Sequence, residues 1–132
     1  MSDDIGTRGR ELTAQPREVK HFIGGEFVDS LDGATFESLS PIDNELCATV
    51  AEGSAADADR AVAAARDAFE PWAAMSPTER KKILLRVADG LEDRLDEIAA
   101  WETRDMGKAL ADSRGKDVPR AAQDRKSTRL NS

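Results

Sequence analysis

The 132-residue sequence predicts an α/β fold, with β-hairpins in its first third and long helices after them. Two observations carry this reading. Over residues 21–50, short β-prone runs alternate with glycine, proline and Asp/Asn turns. Over residues 54–123, apolar side chains recur at three- and four-residue spacing behind two serine caps.

Residues 1–19 lack periodicity and mix Gly, Arg, Asp and Glu with Pro16, so a disordered or loosely attached leader is expected there. Order is expected from residue 20 onward. His21-Phe22-Ile23, Gly24-Gly25 and Glu26-Phe27-Val28 spell a tight hairpin, because two glycines can supply the positive φ of a two-residue turn. Asp32-Gly33 marks a second turn. Residues 35–39 then alternate like a half-buried strand, and Pro41, Asp43 and Asn44 turn the chain into residues 46–50. An antiparallel β unit over residues 21–50 is the result.

Ser54, with Asp57 three residues on, caps a helix over about 54–70 whose apolar stripe is Ala58, Val62, Ala65 and Phe69. Pro71 should end that helix and leave Trp72 in a linker. The longest element reads from residue 76 to 106 as one helix. Ser76 is its N-cap, Pro77 fits the first helical position, and Glu79 completes a capping box. Leu84, Val87, Ala88, Leu91, Leu95, Ile98 and Trp101 form its apolar side, and Gly107 is its stop. Such a face needs a partner surface, which the chain is expected not to contain. A shorter helical run over 109–123 is weakened by Gly115 and Pro119.

Composition narrows the function classes. Hydrophobic residues make up 39% and charged residues 34%, which fits a globular protein rather than a membrane span, and the polar start is no signal peptide. A net charge of −7 argues against a dedicated nucleic-acid binder. One cysteine forms no internal disulfide, in keeping with a reducing, cytoplasmic setting. Four phenylalanines, two tryptophans and no tyrosine allow only a thin core.

No residue stands out as catalytic, cofactor-binding or metal-ligating. Cys47 sits in a strand-like run with no neighbouring His or Lys to activate it, so it reads as structural. His21, at the start of an edge hairpin, is expected to face solvent. Gly24-Gly25 leads into a strand, so it is a turn and not a phosphate cradle. Glu92, Asp93, Asp96 and Glu97 read as a solvated acidic face, partly neutralised by Arg86 and Arg94, since a metal site needs more converging ligands. Lys108, just past a helix end, suits the helix dipole.

Taken in order, FIGGEFVDS, TFESLSPIDNELCATVAEG, SAADADRAVAAARDAFEPW, SPTERKKILLRVADGLEDRLDEIAAWETRDMGKAL and DVPRAA resemble the amino-terminal segment of the NAD(P)-dependent aldehyde dehydrogenase family. The resemblance covers residues 21–123, and DMGKALADSRGKDVPRAA is most similar to the branch acting on muconic-type semialdehydes. It implies an incomplete Rossmann-like cofactor domain, of which residues 20–123 form the opening part. In the family a cysteine thiolate attacks the aldehyde, a hydride passes to the nicotinamide, and a glutamate activates water to hydrolyse the thioester. The family pattern places the cysteine, the glutamate and the glycine-bearing cofactor loop in later segments. In the family, Asp105-Met106-Gly107-Lys108 matches a scaffold turn near the substrate side.

Residues 124–132, DRKSTRLNS, leave the family pattern and resemble the translation of a short-read sequencing adapter. The expectation is a non-native tail on a truncated, inactive piece of an enzyme. Its parent would use NAD or NADP, act on an aldehyde and form a homo-oligomer. A reading of a different class is a complete small α/β module that docks a partner on the apolar side of helix 76–106.

Overall fold

A computed structural model describes residues 5–127. In chain order the elements are α1 (Ile5–Leu12), β1 (Arg17–Val19), β2 (His21–Ile23), β3 (Glu26–Val28), β4 (Thr35–Leu39), β5 (Leu46–Ala51), α2 (Ala55–Ala74), α3 (Pro77–Asp93), α4 (Leu95–Met106), α5 (Leu110–Asp112), a π-helical turn (Ser113–Asp117) and α6 (Val118–Ser127). They fall into two compact units. One holds residues 16–39 and 45–75; the other holds the described parts of 1–15, 40–44 and 76–132.

In the strand-bearing unit, β2 and β3 pair antiparallel with Ile23 opposite Glu26. The intervening glycines take φ of 65° and 90°, both in the region that side-chain-bearing residues avoid. β4 pairs antiparallel with β5, Phe36 opposite Val50, with a register shift at Ser38 and Leu39. The unit is not purely antiparallel. β1 pairs parallel with β5, Arg17 opposite Ala48, in a sheet ordered β1-β5-β4. β5 is the central strand and buries Cys47, Ala48 and Ala51, so both its edges need ladder partners, and residues 17–19 supply one. β4, expected half-buried, is mostly exposed.

Ser54 caps α2 with a complete capping box. The helix does not stop before Pro71 but runs through it to Ala74, which puts Trp72 inside the helix. Proline's fixed φ is compatible with a helix, and its cost is one absent N–H and a clash with the carbonyl a turn back. Here that falls in the last turns, on an exposed stretch where water can reach the backbone.

The helical unit corrects two further expectations. The leader is not loose throughout: residues 5–12 form α1, which packs on α4, while residues 1–4 lie outside the described residues. Gly9 faces α4 and the helix beyond it: an added Cβ would meet Leu110 Cδ2 at 3.4 Å and the Ala100 methyl at 3.7 Å, ordinary contact distances. The helix expected over 76–106 is two helices, broken at Arg94, whose φ of −109° and ψ of 19° leave the helical region. The break lets two faces find different partners, α6 for α3 and α1 with the π turn for α4. The partner surface expected to be missing is therefore partly supplied within the chain. It is a thin one. Among the described residues, Ala88, Ala99, Ala100, Val118 and Ala122 are the buried apolar ones of this unit, whereas Leu84, Leu91, Leu95, Ile98 and Trp101 stay half-buried and Val87 is exposed.

Gly107 ends α4 at φ 71° and donates its N–H to the Thr103 carbonyl at 2.9 Å, the stop read from the sequence. The run over 109–123 is not one α-helix. It widens into the π turn around Gly115, just ahead of Pro119, which has no N–H to donate back to a carbonyl a turn earlier. Of the stretch 124–132, residues 124–127 continue α6 and residues 128–132 lie outside the described residues.

Candidate functional site

The residues that the sequence singles out fall in both units, Cys47 and His21 in the strand-bearing one and the acidic group and Lys108 in the helical one. Cys47 lies in β5 with 1% of its surface exposed, so its thiol is shielded from solvent. His21 is not solvent-facing as expected but half-buried at the start of β2. Its ring rests where a side chain on Gly53 would stand, with Cε1 3.3 Å from an ideal Cβ there, and its buried Nε2 has no hydrogen-bond partner among the described residues.

In the helical unit an open depression of about 420 Å³ lies at the α3–α4 break, lined by α1, the break and the π turn. Here the acidic face read from the sequence is drawn into ion pairs. Arg94 donates from Nε and Nη2 to the two carboxylate oxygens of Glu97, both at 3.0 Å. Asp96 accepts from Arg114 Nε at 2.7 Å and lies 3.7 Å from Arg8 Nη1. Glu92 and Asp93 stay at the exposed rim. Guanidinium groups thus occupy the carboxylate oxygens that a cation would need. Among the described residues no three His, Cys, Asp or Glu side chains gather as a metal cage.

The turn at 105–108 acts as a joint. A Cβ on Gly107 would stand 3.1 Å from Pro41 Cγ, a tight contact that would push the two turns slightly apart. Lys108 pairs with Asp117 of the π turn, a hydrogen bond that raises the pKa of its ammonium. Lys108 therefore ties the end of α4 to the next element and does more than balance a helix dipole.

One well-connected carboxylate is a residue that the sequence marked only as a capping partner. Asp57 is 3% exposed. It accepts from the Ser54 hydroxyl at 2.7 Å, the Ser54 N–H at 3.0 Å, the Leu31 N–H at 3.1 Å and the Ser30 hydroxyl at 3.1 Å. These donors, Ser54 foremost, hold its pKa down at about 2. Asp32 steadies the same loop by accepting from the Ser30 hydroxyl at 2.8 Å and the Ala34 N–H at 3.0 Å. The spacing between Ser54 and Asp57 revealed the cap, but no local signal reveals a bond spanning 27 residues to Ser30.

The N-terminus of α2 is closed by Asp57, and that of α3 by Glu79, whose carboxylate accepts from the Ser76 hydroxyl at 2.7 Å and the Ser76 N–H at 3.1 Å. The first turn of α4 carries Asp96 and Glu97, which repel an anion. Gly24 and Gly25 lead into β3 and not into a helix.

Comparison with known proteins agrees with the sequence resemblance. The profile of the aldehyde dehydrogenase family matches residues 27–127. Aldehyde dehydrogenase 1 of Tanacetum cinerariifolium is 47% identical over 110 residues, 82% of this chain and 22% of its own length. HpcC of Thermus thermophilus superposes with a TM-score of 0.84 at 40% identity, over 95% of this chain and 24% of its own. PnpE, solved in complex with nicotinamide adenine dinucleotide, gives 0.82 at 40% identity, over 84% and 23%. The chain thus spans less than a quarter of the length of each of these relatives. The family profile covers more than half of the chain and the Tanacetum enzyme is 47% identical over 82% of it, and on that ground the chain belongs to the aldehyde dehydrogenase family.

Proposed function

We propose that this chain is an amino-terminal piece of an aldehyde dehydrogenase subunit whose parent oxidises an aldehyde to a carboxylic acid with NAD or NADP. The observation that carries the reading is the coverage: most of this chain aligns with under a quarter of the Tanacetum and Thermus proteins. Within the parent these residues serve as scaffold. The nucleophilic cysteine, the water-activating glutamate and the cofactor loop belong to the rest of the subunit, and the 132-residue chain is catalytically silent. The burial of Cys47 in β5 and the self-capped helix N-termini support this division of labour. The parent works in the cytoplasm as a homo-oligomer, without nucleic acid. Among the described residues no helix is long and apolar enough to cross a membrane. The packing of α3 on α6 and of α4 on α1 leaves less of the 76–106 face for a partner, which favours a scaffold over a docking module.

Two tests address the reading. Sequencing of the source locus should show a frame that continues past Gln123 into further aldehyde dehydrogenase segments, and a genomic stop codon directly after Ser132 would overturn it. Calorimetry of the 132-residue chain should detect no NAD or NADP binding; micromolar affinity for either would show that cofactor contacts reside here after all.

A further inference from the structure

We draw no further inference here: the strongest candidate, the exposed apolar stripe of α2 formed by Val62, Phe69 and Trp72, carries nothing because nothing in the structure shows what covers it, and burial beneath the rest of a longer subunit already belongs to the function proposed above.

Discussion

Replacing Gly107 by alanine tests the joint at the end of α4. The residue sits at φ 71° and ψ 14°, where an L side chain costs roughly 1–2 kcal/mol. The new methyl would also press on Pro41, 3.1 Å from its Cγ. Against this, alanine narrows the unfolded ensemble by about 0.4–1 kcal/mol. Contact strain and this entropy gain oppose each other, so the backbone cost dominates and a net loss of about 1–2 kcal/mol is expected, a factor of roughly 5–30 in an opening equilibrium. Amide hydrogen exchange of α4, followed by NMR on the 132-residue chain, reads that factor directly. Gly107→Asn carries the same Cβ but tolerates the left-handed region, so it should lose less protection than Gly107→Ala. Unchanged exchange in Gly107→Ala, or equal damage from both variants, would refute the backbone argument.

Other consequences are open to measurement. The pKa of Asp57 is lowered from 3.8 to about 2 by its donors, so its contribution to stability is complete above about pH 4 and is lost as pH falls through 2. An NMR titration should find this carboxyl titrating near 2, and Asp57→Asn should flatten the acid limb of the unfolding curve; an ordinary carboxylate pKa would contradict the bonding described. Ser54→Ala and Ser76→Ala each remove a cap and should cost about 1 kcal/mol, seen as faster exchange confined to the first turns of α2 and α3. The isolated chain exposes Phe22, Phe27, Phe69 and Trp72, so it should bind an apolar dye and melt with little cooperativity. A sharp two-state melt of a clean monomer would count against the scaffold reading.

What could be read from the sequence was what local chemistry decides. The Gly24-Gly25 turn, both serine caps and the Gly107 stop depend on a few neighbouring residues, and each stands where the residues placed it. Pairings across long separations were not legible. The strand at 17–19 is only three residues long and carries no alternation to reveal it; β5, some thirty residues on, makes it a strand. Pro71 misled because the rule against proline in helices weakens near an exposed end. Arg94 gave no warning because the apolar spacing runs unbroken through it from Leu91 to Leu95 and Ile98. No site was read from the sequence; of the acidic residues it marked, Glu97 pairs with Arg94, a partner one turn away that the sequence could offer, whereas Asp96 pairs with Arg8 and Arg114, partners that periodicity cannot supply.

The break at Arg94 also decides how this region can change in evolution. In a continuous helix each inserted or deleted residue swings everything beyond it by about 100° about the axis, since a turn takes about 3.6 residues. That would carry Ala99 and Ala100 off the face they bury. A non-helical residue uncouples the two rotations. The α3 face against α6 and the α4 face against α1 can then be set separately, and changes of chain length at this joint become tolerable where a turn to either side they would not be.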